Sequence, residues 1–120
     1  MPLRVVPAVG PVLDQVLSDT YPLWGDGLSL DSYGRYWAAQ MRTPWGQQHL
    51  DRVALVDGPH VLASAKRYDL SLRLDGRIRR VRGIGAVFTT PAHRGRGYAR
   101  AAAAVAARLR IETRSRAGRR

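Results

Sequence analysis

The stretch that decides the fold runs Gly85-Ala86-Val87-Phe88-Thr89, then Thr90-Pro91-Ala92-His93, then Arg94-Gly95-Arg96-Gly97, and then Tyr98-Ala99-Arg100-Ala101-Ala102-Ala103-Ala104-Val105-Ala106-Ala107-Arg108-Leu109-Arg110. An apolar run closed by proline reads as a strand. The alanine-rich run reads as a helix over 98–110, since alanine has the highest helix propensity. Between them, arginine and glycine alternate at the point where a helix start turns unpaired backbone N–H groups and the positive end of its dipole into one small space. Such a junction can cradle a phosphate. Gly95 and Gly97 keep side chains from holding a phosphate off the backbone, and Arg94 and Arg96 can add charge-assisted hydrogen bonds. The plainer reading is a glycine-containing turn with two solvated arginines. Two other phosphate motifs fail on spacing: no Gly-Lys pair exists for a Walker A loop, and Gly83-Ile84-Gly85 has Phe88 where a dinucleotide fingerprint needs its third glycine.

Upstream of this junction the texture changes twice. Leu3 to Val6 is a short strand closed by Pro7, and Val12, Leu13, Val16 and Leu17 then follow the helical period. Tyr21-Pro22-Leu23-Trp24-Gly25-Asp26-Gly27 reads as a break. Ser29 or Asp31 can cap a second helix through Tyr33, Tyr36, Trp37 and Met41, which Pro44-Trp45-Gly46 is expected to end. From Arg52 onward the pattern is that of strands, with Asp57-Gly58 and Asp75-Gly76 as hairpin signals, so a three-stranded antiparallel meander is expected up to Thr89. There is no internal repeat and no low-complexity linker.

The 120 residues leave room for one domain with a modest core. No cysteine is present, which removes disulfides, thiolate catalysis and Cys-based zinc sites together. No stretch approaches the roughly 18 apolar residues that cross a bilayer, and the N-terminus has no long apolar segment, so a cytoplasmic protein with no membrane partner is expected. The net charge of +11 is unevenly spread: residues 1 to 65 hold 4 bases and 6 acids, and residues 66 to 120 hold 16 bases and 3 acids. An anionic partner would be drawn to the second half.

The run Arg94-Gly95-Arg96-Gly97-Tyr98-Ala99 resembles the acetyl-CoA-binding motif [QR]-x-x-G-x-[GA] of the GNAT (GCN5-related) N-acetyltransferase superfamily. Its setting is also similar, with an apolar strand before it, a small-residue helix after it, and a strand, two helices and a meander upstream. The resemblance implies an α+β fold, a mostly antiparallel sheet with flanking helices, over a domain spanning 3–112. It implies that Val87, Phe88 and Thr89 present main-chain groups to the pantetheine arm, and that Arg94, Gly95, Arg96, Gly97, Tyr98 and Ala99 hold the pyrophosphate. Acetyl-CoA is then the cofactor, and the acceptor is a primary amine on a small molecule or peptide. In this family the amine attacks the thioester directly, so catalysis rests on positioning, deprotonation and an oxyanion contact.

Tyr21, Trp24, Tyr33, Tyr36 and Trp37 fall where the family builds its acceptor side, and they are read first as core aromatics. His49, His60 and His93 are scattered, so no catalytic residue and no metal site is assigned. After the alanine-rich helix the family continues with further strands and another helix, whereas residues 113–120 read as a basic disordered tail. The sequence therefore looks like a GNAT domain truncated at its C-terminal end, with its last strand left as an edge open to homodimerisation. A non-catalytic, self-associating remnant is one alternative. Non-specific nucleic-acid binding is another, through Arg73, Arg77, Arg79, Arg80 and Arg82 around one hairpin and Arg114, Arg116, Arg119 and Arg120 in the tail; it ranks below the cofactor, since no helix-turn-helix, zinc-finger or aromatic RNA-binding pattern accompanies these residues.

Overall fold

The computed structural model describes residues 3–108. Four strands form one antiparallel sheet in the order β1-β2-β3-β4: β1 (Leu3–Pro7), β2 (Leu50–Asp57), β3 (His60–Leu74) and β4 (Arg77–Thr89). Three helices, α1 (Gly10–Trp24), α2 (Leu30–Arg42) and α3 (Pro44–His49), link β1 to β2, and α4 (Tyr98–Arg108) follows β4 after a 3-10 turn at Pro91–His93. The expected α+β class with a mostly antiparallel sheet and flanking helices is the observed architecture. The tail at 113–120, the end of the expected domain and any element after α4 lie outside the described residues.

The central strand explains the layering. β2 is buried on both faces, so its side chains alternate between two cores. Ala54 and Val56 meet Val16 of α1, and Leu50 meets Leu17, Tyr33 and Trp37 of α1 and α2. Val53 and Leu55 point the other way, toward Ala106 and Ala102 of α4. Alanine on α4 lets that helix lie close to the sheet. Val16 and Val53 are almost fully buried, and each contributes about 1.5–3 kcal/mol relative to exposure.

Both hairpins form where the glycines place them. Gly58 takes φ 58° in the Gly58-Pro59 turn, and Asp75 and Gly76 take φ 51° and 75°, the double left-handed conformation of a tight two-residue hairpin. Beyond Tyr68 the β3–β4 hairpin runs out with both strands largely exposed.

Two expectations need correction. Pro22 does not end the first helix: α1 continues to Trp24, because Tyr21 packs against the Tyr33 ring at 5.7 Å and donates its hydroxyl to Leu28 O. These contacts outweigh the one backbone bond that a proline so close to the helix end removes. Pro44 does not merely close α2 either. It is the first residue of α3, with Thr43 as the hinge: Thr43 Oγ1 donates to Gln40 O at 2.8 Å and accepts from Gly46 N at 2.9 Å. Proline at the first helical position has no N–H to leave unpaired.

Candidate active site

The strand-to-helix junction is built as a bulge followed by an open loop. Ser64 pairs with Phe88 and Lys66 with Gly85, so Ala65 alone faces both Ala86 and Val87. Ala86 takes φ 48° there, and the ladder is locally disrupted. Phe88 turns inward, its ring 5.8 Å from Trp24, whereas Val87 is 41% exposed. Thr90 N then donates to Leu62 O at 3.1 Å, anchoring the chain as it leaves the sheet.

Arg94 to Gly97 are exposed, and Tyr98 and Ala99 are half-buried. Gly95 and Gly97 have φ of 82° and 78°, which L side chains rarely adopt, and a Cβ on either would meet no atom within 4 Å. The loop backbone is thus open to an approaching group. Ala101 N donates to Gly97 O at 3.0 Å at the start of α4, and the N–H groups of the residues before it have no acceptor within the helix. Arg94 folds back onto the strand end: its Nε donates to Thr89 O at 3.1 Å, and its guanidinium lies 5.7 Å from the Phe88 ring. Tyr98 packs beside Ala102, Leu55 and Ala63. Of the nine residues singled out from the sequence, Val87, Phe88, Thr89 and Arg94 form one contiguous group, and Gly95, Arg96, Gly97, Tyr98 and Ala99 line the helix entry.

On the α1–α2 face of the sheet lies a cavity of about 700 Å³. Trp24, Tyr33, Tyr36 and Trp37 wall it, with Asp26 and Leu28 at the loop and Gln40, Arg52, Lys66 and Ala86 completing it. The aromatics serve as both core and wall. Tyr33 and Trp37 are buried in the α1–α2 core, Tyr36 is 61% exposed, and Tyr21 packs behind without lining the cavity. Tyr33 Oη and Thr20 Oγ1 are 2.8 Å apart, with Thr20 donating to Val16 O, so the phenol is held in place. A smaller hollow of about 250 Å³ continues past Gln40 and Lys66 to Tyr68 and Trp45. Ala86 joins cavity and junction, because the bulge that carries it leads directly into Val87, Phe88 and Thr89.

Arg52 and Lys66 were not singled out as site residues from the sequence. They are opposite each other on β2 and β3, with Arg52 Cζ 4.8 Å and Lys66 Nζ 5.2 Å from the centroid of the Trp37 ring. Burial lowers the pKa of Arg52, opposed by a hydrogen bond with Tyr33. Burial also lowers the pKa of Lys66, and the charge of Arg52 adds to the effect. The signal for them was a base inside an apolar strand run, Arg52 before Val53-Ala54-Leu55-Val56 and Lys66 after Ala65.

Gly83 and Gly85 have a structural explanation. A Cβ on Gly85 would stand 3.1 Å from the Tyr68 ring, and one on Gly83 3.5 Å from it, so the two glycines make room for that side chain. Two arginines of the hairpin cluster are also engaged: Arg80 pairs with Asp69, and Arg82 Nη1 donates to Ala107 O at 3.0 Å. Arg73, Arg77 and Arg79 are exposed. Among the described residues no group of three metal-ligating side chains occurs, and no helix is long and apolar enough to cross a membrane.

A family model described as an acetyltransferase (GNAT) domain matches residues 30–107, more than half of the chain. The chain belongs to the GNAT acetyltransferase family. Among solved structures, its fold is similar to that of a transcriptional regulator from Bacillus halodurans C-125, with TM-score 0.67 and 16% identity over 88% of this chain and 71% of that one. It is also similar to the aminoglycoside N-acetyltransferase AAC(6')-Iy in complex with the bisubstrate analog CoA-S-monomethyl-acetylneamine, with TM-score 0.65 and 16% identity over 88% and 69% of the two chains. A third likeness is to the aminoglycoside 6'-N-acetyltransferase AAC(6')-IG from Acinetobacter haemolyticus, with TM-score 0.61 and 18% identity over 86% and 70%. At these identities the likeness is one of fold. No curated protein matches the sequence.

Proposed function

We propose that this domain, over 3–112, transfers an acetyl group from acetyl-CoA to a primary amine in the cytoplasm. Acetyl-CoA lies along Val87, Phe88 and Thr89, with its pyrophosphate against Arg94, Gly95, Arg96, Gly97, Tyr98 and Ala99. The observation that carries this reading is the continuity of the bulge at Ala86, the open glycine loop and the helix entry, all beside one aromatic-walled cavity. The residues present fit the group: a Cβ on Gly95 or Gly97 would meet no atom within 4 Å, the first N–H groups of α4 have no partner within the helix, and Arg96 is exposed and within reach of a phosphate at the loop.

The chemistry is a direct exchange. The neutral amine nitrogen attacks the thioester carbonyl carbon, a C–N bond forms, the C–S bond breaks, the amine gives up a proton, and the thiolate leaves as CoA. The chain supplies placement, with the cofactor arm held beside β4 at the bulge and the acceptor in the cavity that opens at Ala86. Backbone groups freed by the bulge are suited to the developing oxyanion. No side chain is assigned as base or acid.

The test is isothermal titration of acetyl-CoA into the full chain and into an Arg94→Ala, Arg96→Ala double variant, at low and moderate salt. The wild type is expected to bind, and the variant to lose at least tenfold in affinity. Absence of binding to the wild type would overturn the reading. A second reading, self-association through β4, is favoured by the position of that strand at the sheet edge and by exposed Leu72, Leu74 and Ile78 on its hairpin. Size-exclusion chromatography decides it, since a monomer at all concentrations rules it out.

A further inference from the structure

The cavity carries a charge imbalance that acetyl transfer alone does not require. Arg52 and Lys66 face it from adjacent strands and share the Trp37 ring. Among the described residues neither makes an ion pair, and the Nε of Arg52 is buried without a hydrogen-bond partner. The one carboxylate among the lining residues is Asp26, which is exposed in the loop after α1. Two like charges side by side in a half-buried place repel each other, and a wall of aromatic rings does not cancel them. Burial lowers the pKa of both groups, and for Lys66 the charge of Arg52 adds to the effect. An anion entering the cavity would relieve it, whereas a polycation would make it worse.

We infer that the acceptor is an amine that also carries an anionic group, a carboxylate or a phosphate, which Arg52 and Lys66 hold inside the aromatic cavity. This rests on the acetyl-transfer reading for the word acceptor, though not for the anion preference itself. Arginine offers a planar fork and lysine a compact charge, so together they suit an oxyanion with two or three exposed oxygens. The aromatic walls take the apolar body of the ligand. The amine must then reach toward Ala86, where the cavity meets β4. The preference is opposite in sign to the needs of an aminoglycoside, which brings several ammonium groups.

Trp24 and Trp37 line the cavity, so tryptophan fluorescence reads its occupancy directly. The full chain is titrated with N-acetyl-L-phenylalanine, its uncharged carboxamide, phenyl phosphate and kanamycin. The acid or the phosphate should bind at least tenfold more tightly than the amide, and which of the two is tighter separates the two anion sources. Lys66→Met should remove about tenfold for the anions and leave the amide unchanged. Arg52→Gln, checked for folding by circular dichroism, should act in the same direction. Equal binding of acid and amide, tighter binding of kanamycin, no saturable binding of any anionic probe, or displacement of the anion by acetyl-CoA would each overturn the inference. An anion preference that persists where acetyl-CoA fails to bind leaves the inference standing and removes the acetyl-transfer reading instead. Acetyl-CoA binding without any anion preference does the reverse.

Discussion

Two charged pairs sit one residue apart on the same two strands and face opposite sides of the sheet. On the α4 side, Asp51 lies opposite Arg67. The carboxylate accepts from Arg67 Nε at 2.8 Å and from Nη2, while Nη1 donates to Ala106 O at 3.1 Å, which ties down the last turn of α4. Both side chains are buried there. On the α1–α2 side, Arg52 lies opposite Lys66, both positive and facing a cavity. The first pair is closed by its own members and by a helix end that favours a nearby cation. The second makes no ion pair among the described residues, and the one carboxylate lining its cavity, Asp26, is exposed in the loop after α1. A buried charge whose partner stands on the neighbouring strand serves the fold, and a pair of like charges beside a cavity calls for a partner brought by a ligand.

The largest test of this contrast is Arg67→Met, which strands Asp51 beneath α4 and frees the Ala106 carbonyl. Removing one member of a buried pair costs about 3–5 kcal/mol, to be read as a lower urea midpoint. Adding Asp51→Leu should recover at least half of that loss, because an apolar pair of similar volume replaces the stranded charge. Lys66→Met should act in the opposite direction at neutral pH, with a gain below about 1 kcal/mol, since relief of repulsion at a half-exposed site is screened by solvent. The sign of its pH dependence follows from the lowered pKa of Lys66. The folded chain binds that proton less readily than the unfolded chain, so the wild type gains stability as pH rises toward the ordinary lysine value of 10.5, and the advantage of Lys66→Met shrinks. The smallest effect belongs to Asp69→Asn. Its partner Arg80 is 76% exposed, and loss of such a pair should cost about 0–1 kcal/mol.

The sequence carries some of this contrast and hides the rest. The hairpins at Asp57-Gly58 and Asp75-Gly76, the capping Ser29 and the alanine-rich α4 are local signals, and local signals survive in the fold. The Arg94–Ala99 motif marked the family for the same reason. Pairing across strands is not local. Counted back from Asp57 opposite His60, an unbroken ladder would set Asp51 opposite Lys66 and leave Arg52 facing Ala65. Leu62 is an extra residue, bulged between Val56 opposite Val61 and Leu55 opposite Ala63, and that single slip gives Asp51 to Arg67 and Lys66 to Arg52. Nothing in the Val61-Leu62-Ala63 run announces it. The helix α3 was hidden for a related reason, since Pro44 ends one helix as readily as it starts another and only the Thr43 hydrogen bonds decide between them.

The most direct measurement is thermal unfolding of the wild type, Arg67→Met and Lys66→Met side by side, each with and without saturating phenyl phosphate. At about 4–8 °C per kcal/mol for a domain near this size, Arg67→Met should melt more than about 10 °C below the wild type. Lys66→Met should melt at or slightly above it. Phenyl phosphate should raise the melting point of the wild type and of Arg67→Met by similar amounts and that of Lys66→Met by clearly less, in keeping with binding weakened about tenfold. If Lys66→Met instead falls as far as Arg67→Met, or keeps the full ligand-dependent rise, the two faces of the sheet do not divide structure from binding in this way.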